Sequence, residues 1–475
     1  MVMGDMEMKV DLAVIGAGPG GYAAAFRAAD LGMDVALIDP RKRPGGVCLH
    51  EGCIPSKTCL SLAELIEDAG RAQRMGVHFA QPEIDVDNIR SWKQSVIDTM
   101  ASGLASLCRE RGIQWITASA RFVGPSTLQL DGGEVRRIRF KHCIIATGSV
   151  PIPFPGSSFS GDGRIMSSRE ALALRDIPER LLVVGGGYVG LELGFIYSAL
   201  GSEVFLVEIE NRLLSSVDAD LIAPLQRKLE GMFARIDLGT RIVKLEEKEE
   251  SVAVSLEHDG KQRDEQFDRV LVAMGRRVIT SELGLENTGV ETDSRGAIMV
   301  NDRQQTAEEH ILAVGDVCGD IMLAHTAMRQ GRVAAEVVAG RLSAYDVRAI
   351  PAIVYTDPQI AWCGLTESQA KEKNMTVKIF KYPWKYSGRA QSMGAEEGLT
   401  KLVTDPESGR ILGVGICGRD AEGLITEGVL AIEMGAVAED LALSLHAHPT
   451  LSETMGESAE IFMGSPTHLM PKNRS

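Results

Sequence analysis

The chain has 475 residues, 44% of them hydrophobic and 24% charged, enough for roughly three domains at about 150 residues each. Its 50 basic and 65 acidic residues leave a net charge of −15, which disfavours a nucleic-acid partner, since such a partner selects a basic surface. No apolar run reaches the about 20 residues that span a bilayer, and the opening MVMGDMEMKV has neither the basic start nor the apolar stretch of an export signal. A cytoplasmic protein with no membrane partner is expected, and its eight cysteines point to one functional pair with the others reduced.

The first apolar run, KVDLAVI at 9–15, ends at Gly16-Ala17-Gly18-Pro19-Gly20-Gly21. An alanine-rich helical pattern follows to about Leu31, then a second apolar run from Asp34 to Ile38 that ends at Asp39. Strand, glycine turn, helix, strand and acid in this order form a dinucleotide-binding unit. Gly16 and Gly18 let the backbone turn and approach a pyrophosphate, Gly21 lets helix pack on sheet, and Asp39 is placed for ribose hydroxyls.

Residues 45–57 read GGVCLHEGCIPSK, with Cys48 and Cys53 five positions apart. In a regular helix that offset separates Cα atoms by about 8–9 Å, whereas a disulfide needs about 4.4–6.8 Å. A bond between them requires the segment to leave regular helix. A bridge closing so small a loop restrains the unfolded chain little, so a redox pair is favoured over a structural staple.

The dinucleotide unit then returns. Leu181 to Val184 lead into Gly185-Gly186-Gly187-Tyr188-Val189-Gly190, a helix to about Leu200, the strand 203–207 and Glu208. Matched glycines and acids in the two units are all 169 residues apart. Each unit is followed by a predicted β-meander, with turns at Asp131-Gly132 and Asp259-Gly260, and by an apolar strand ending in glycine, CIIATG at Gly148 and VLVAMG at Gly275. Two nucleotide cofactors in one chain imply electron transfer between them. Glu208, followed by Ile209 and Glu210, favours NAD over NADP because a carboxylate accepts from a free 2′-hydroxyl and repels a phosphate.

PIPFPG at 151–156 reads as a linker, ILAVGD at 311–316 as a strand, and MLAHTAMRQGRVAAEVVAG at 322–340 as a helix. After Arg348 comes a third unit without a nucleotide motif, with alternating strands, then helices from about Ala421. Its tail holds His446, His448 and Glu453 in HAHPTLSE. The fold class is α/β: two related Rossmann-like dinucleotide-binding domains plus a C-terminal α+β dimerisation domain.

From about residue 9 to 460, these motifs together resemble the pyridine nucleotide–disulfide oxidoreductase family, and within it the dihydrolipoamide dehydrogenase branch. The resemblance implies an FAD-binding segment at 1–150, an NAD-binding segment at 151–275, a central segment at 276–348 completing the FAD site, and an interface segment at 349–475. Gly16, Gly18, Gly21 and Asp39 would hold the ADP half of FAD. Gly46, Val47, Cys48, Lys57, Ala118, Thr147, Gly148, Ser149, Asp316, Met322, Leu323, Ala324 and His325 would line the rest of that site. Gly185, Gly187, Tyr188, Gly190, Glu208, Ile242 and Gly275 would hold NAD.

The family is homodimeric, so His448 and Glu453 would act across the interface on the partner's disulfide. Dihydrolipoamide is a dithiol: His448 would take its proton with Glu453 orienting the ring, Cys48 would be the sulfur attacked, and Cys53 would lie beside the flavin. Lys57 would sit near the flavin and pair with Glu192. No metal is implied. The implied partners are a lipoyl-bearing protein and the subunit-binding domain of a 2-oxo acid dehydrogenase acyltransferase, or a glycine cleavage carrier protein.

A glutathione reductase-like enzyme would want basic residues where Glu208 and Glu210 stand. A chiefly structural docking subunit is the alternative outside catalysis. The sequence departs from the family at Asp39 (usually glutamate), at Ala118 (usually glycine), at 276–279 (RRVI in place of an arginine followed by a residue and Pro-Asn) and at Tyr188 (usually aliphatic), where an aromatic ring would cover the nicotinamide site.

Overall fold

A computed structural model of the chain describes residues 7–319 and 321–470. The first six residues, most of the opening stretch considered above as an export signal, lie outside the described residues. The chain divides into two compact units, one formed by residues 1–58, 87–152 and 274–346, the other by 59–86, 153–273 and 347–475.

The first unit is built on β1 (Glu7–Ile15), α1 (Pro19–Asp30) and β2 (Val35–Asp39). β1 pairs in parallel with β2 on one side and with the strand Arg137–Ile145 on the other. The strands Gln114–Thr117 and Ile311–Ala313 extend this parallel core at its two sides. Two antiparallel strands, Ser119–Gly124 and Thr127–Asp131, complete the sheet.

The uninterrupted apolar run of β1 has a simple cause. Val10, Ala13 and Ile15 enter one hydrophobic cluster and Leu12, Val14 and Ala17 another, so both faces of the strand are buried. On one side α1 packs against the helix Ala324–Val338 with almost no separation: a Cβ added at Gly331 would lie 2.3 Å from the Gly20 carbonyl oxygen.

The second unit repeats the pattern. Its parallel strands run Arg235–Asp237, Glu203–Val207, Arg180–Val184, Arg269–Val272 and Ile165–Met166, with the helix Tyr188–Ala199 following the third of these. The meander forms as predicted: Val252–His258 and Lys261–Phe267 are joined by Asp259 and Gly260 alone, both with positive φ (48° and 73°), the twist a two-residue hairpin needs. In the first unit Asp131-Gly132 opens a longer loop, reaching the next strand only at Arg137.

The remainder of the second unit is a five-stranded antiparallel sheet, Ala352–Val354, Gln359–Gly364, Ile411–Gly418, Leu399–Thr404 and Lys378–Pro383, covered by helices. A buried chain of donors fixes the helix Glu453–Met463 to it: Trp384 Nε1 donates to Thr400 Oγ1 (2.9 Å), which donates to Thr454 Oγ1 (2.8 Å). Among the described residues no helix is long and apolar enough to cross a membrane.

Candidate active site

Both glycine turns are closed by the acid at the end of the second strand. Asp39 Oδ2 accepts from the Ala17 N–H at 2.9 Å and Oδ1 from the Arg41 N–H at 2.8 Å. Glu208 Oε2 accepts from the Gly186 N–H at 2.6 Å and Oε1 from the Glu210 N–H at 2.8 Å. The shorter Asp39 thus makes the same two backbone bonds as Glu208. Each carboxylate oxygen has a second lone pair, so a ribose hydroxyl can still be bound. Ala118 donates its N–H to the Asp39 carbonyl at 3.2 Å, which sets it beside this turn. Thr240 donates to the Glu208 carbonyl at 2.9 Å, bringing the strand that carries Ile242 beside the second. Tyr188 opens its helix and is 42% exposed.

The helix expected to break between the cysteines does so at Gly52. α2 (Gly46–Glu51) carries Cys48, and α3 (Cys53–Ala72) begins with Cys53. The two side chains lie within hydrogen-bonding distance of each other. The hydrogen bond with Cys53, burial, and the charge that Cys53 carries when ionised raise the Cys48 thiol, against a lowering pull from Lys57. Burial first, then the charges of Cys48 and Cys53, push the hydroxyl of Tyr22 on α1 up to about 12.

A third cluster gathers at the strand Ser149–Pro151. It pairs with Arg276–Val278, and the Thr147 hydroxyl donates to the Ile279 carbonyl at 2.7 Å while Ile279 N–H donates to Gly148. The RRVI departure therefore leaves the segment regularly paired. Ser149 Oγ donates to Asp316 Oδ2 at 2.5 Å, and Gly315 N–H donates to Gln330 Oε1 at 2.8 Å, tying the Gly315–Cys318 turn to the helix Ala324–Val338. Met322 and Leu323 lead into that helix, whose first turn includes Ala324 and His325 and has no side-chain cap.

In the second unit His448 Nδ1 lies 2.8 Å from Glu453 Oε1, and Glu453 Oε2 accepts from the Thr450 N–H at 2.7 Å. Both carboxylate oxygens are thus engaged, and the His448 side chain is 72% exposed. Nearby, both nitrogens of His446 face acceptors, Glu427 Oε1 at 2.9 Å and the Ser444 carbonyl at 3.1 Å, which suits an imidazolium; the bond with Glu427 raises its pKa. Glu192 is 3% exposed and accepts from the Tyr355 N–H at 3.1 Å.

Residues 10–331 match the model of the pyridine nucleotide-disulphide oxidoreductases, and residues 350–459 match that family's dimerisation domain. The chain belongs to the pyridine nucleotide-disulphide oxidoreductase family. It is 41% identical over 465 residues to a dihydrolipoyl dehydrogenase of Vibrio cholerae, covering 98% of each chain. It is 43% identical over 476 residues to a dihydrolipoyl dehydrogenase of Haloferax volcanii, covering 99% of this chain and all of that one. Among solved structures it is similar to LpdA from Mycobacterium tuberculosis, with a TM-score of 0.88 and 25% identity over 96% of this chain.

The two turns fit the dinucleotides this oxidoreductase family uses. A Cβ on Gly46 would come 2.5 Å from the Gly18 Cα, so two bare backbones line the mouth of the first turn. A Cβ on Gly187 would meet nothing within 4 Å. Neither following helix has a side-chain cap, which leaves first-turn N–H groups for a pyrophosphate. Sequence reasoning passed over Tyr22, Gly331 and the His446–Glu427 pair, and noted Arg276 only within the RRVI segment, without a partner. Gly331, a glycine inside a helical pattern, carried a local signal.

Proposed function

We propose that this oxidoreductase is an FAD- and NAD-dependent dihydrolipoyl dehydrogenase, oxidising protein-bound dihydrolipoamide to lipoamide. The observation carrying this reading is the Cys48–Cys53 pair, placed across the Gly52 break in the same unit as the first dinucleotide turn.

The bound dithiol gives one proton to His448 Nε2, the nitrogen that the Glu453 bond leaves as acceptor. The resulting thiolate attacks Cys48 Sγ of the oxidised pair, forming a mixed disulfide and releasing Cys53 as a thiolate. The second substrate thiol then attacks the substrate sulfur of that mixed disulfide, closing the cyclic disulfide, while its proton passes to the departing Cys48 sulfur, which leaves as a thiol. FAD, when bound, supplies the two-electron link between this dithiol and NAD⁺.

In this reading residues 1–150 with 276–348 hold FAD, 151–275 hold NAD, and 349–475 pair two copies, so the partner subunit's His448 serves the Cys48 of the first. The lipoyl group arrives on another protein in the cytoplasm. The net charge of −15 suits a basic subunit-binding domain of an acyltransferase.

The test is NAD⁺ reduction by the flavin-loaded protein with dihydrolipoamide, with NADP⁺ and glutathione as controls. Turnover with dihydrolipoamide and NAD⁺ alone is expected. Turnover with glutathione and NADP⁺ instead, or none with dihydrolipoamide, overturns the reading.

A further inference from the structure

Arg276 stands outside every motif that the dinucleotide turns and the cysteine pair account for, yet it is the centre of a polar chain that crosses three segments of the first unit. Its Nε donates to Ser149 Oγ at 2.7 Å and its Nη2 to the Ser149 carbonyl at 2.8 Å. Ser149 Oγ donates in turn to Asp316 Oδ2 at 2.5 Å, and Arg276 Nε lies 4.0 Å from that same oxygen. The Ser149 side chain is almost fully buried, at 1%, while Arg276 and Asp316 keep 19% and 24% of their side-chain surface.

A serine hydroxyl has one proton and two acceptor sites. With the guanidinium N–H occupying an acceptor site, the hydroxyl proton points away from Arg276 and toward Asp316. The arginine thereby fixes the direction of the serine donor, and the donor fixes the carboxylate. Asp316 Oδ1 has no hydrogen-bond partner among the described residues. The carboxylate is thus held by one oxygen and presents the other, with the Gly315–Cys318 turn anchored behind it through Gln330. A carboxylate presented in this way accepts from the hydroxyls of a polyol chain, and FAD carries one between its flavin and its pyrophosphate.

We propose that Arg276 is a positioning residue for the flavin dinucleotide, acting through Ser149 on Asp316. This rests on the assignment of the first unit to FAD. The arginine acts as an orienting fork, for which lysine is a poor substitute because one ammonium cannot reproduce the paired bonds to Oγ and the carbonyl.

The test is FAD affinity of the full-length protein, followed by flavin fluorescence on dissociation and rebinding, for the parent, R276M, R276K, S149A, D316N and R276M/D316N. Melting temperatures of the flavin-free forms are recorded alongside. R276M is expected to weaken FAD binding roughly tenfold, the loss of one charge-assisted hydrogen bond. S149A should weaken it similarly, R276K should be intermediate, and R276M/D316N should bind no more weakly than D316N. Full affinity in R276M, or losses of R276M and D316N that multiply, would overturn the relay. If R276M does not fold, S149A carries the same test, because it breaks the chain while keeping the charge. A parent protein that binds no FAD would instead sink the assignment of the unit, which separates the two failures.

Discussion

At the scale of single residues, His448 has one ring nitrogen committed to Glu453 and one open to solvent, so its protonation chemistry has only one outlet. His448→Gln keeps a polar group but loses the base. Its turnover with dihydrolipoamide should fall by roughly 10²- to 10⁴-fold, while the rate of flavin reduction by NADH, followed by stopped-flow absorbance, should be unchanged. An equal fall in both would assign His448 a structural role. Cys48, Cys53 and the two acids were legible in the sequence because motif and local backbone coincide: the glycine that breaks the helix lies between the cysteines it serves. The contact of Arg276 with Ser149 was not legible, because the two are distant in the chain and meet only through strand pairing. The electrostatic coupling of Tyr22 to the cysteines was hidden for the same reason, since it depends on how α1 and α2 are placed.

Among elements, the crossing of α1 with the helix Ala324–Val338 has the least tolerance. The missing side chain at Gly331 is what lets the two backbones touch, and any Cβ there would meet backbone rather than a movable side-chain tip. Gly331→Val should therefore force the helices apart, at a cost of about 1–3 kcal/mol as in other overpacked cores. Urea unfolding measures this directly, and an unchanged midpoint would show the helix sliding freely. The helix was legible from its periodicity and the strand before it from its apolar run. The partner surface was not, since periodicity reports which face is buried and not what covers it.

For the molecule as a whole, a buried ammonium, joined by the more exposed Lys381, neutralises a group of acids in the second unit. Lys401, 1% exposed, bonds Asp218 at 2.7 Å and Asp220 at 2.8 Å, with Glu367 at 3.4 Å. Burial pushes both aspartates upward, but hydrogen bonds and charge from Lys401, with further bonds from the Glu367 and Ser368 N–H groups to Asp218 and from Lys381 to Asp220, hold them below their ordinary value of 3.8. Carboxylates lowered in the folded state stabilise it fully above 3.8, and that contribution is lost as pH falls through the lower folded values. Lys401→Met should remove about 3–5 kcal/mol at neutral pH by leaving the buried Asp218 carboxylate without its cation, while Asp220 keeps Lys381 at 2.7 Å. The gap between variant and parent should narrow on acidification, as read from urea midpoints at pH 7 and pH 3. A gap independent of pH would contradict it. The sequence offered no sign of this cluster, whose members come from positions 218 to 401.

The duplication has a practical consequence for anyone who wishes to change the nicotinamide specificity. In the proposed NAD site Glu208 would do two jobs with one carboxylate: it would accept from a ribose hydroxyl, and it already terminates the Gly186 and Glu210 N–H groups that shape the turn. Exchanging it for a neutral or basic residue would remove the repulsion against a 2′-phosphate and, in the same stroke, unseat the loop meant to receive it. Asp39 indicates the way around this, since it caps the equivalent pair of amides with a side chain one carbon shorter. A redesign for the phosphorylated coenzyme must therefore be a graft of the whole turn, with a new acceptor for Gly186 brought in alongside the new cation.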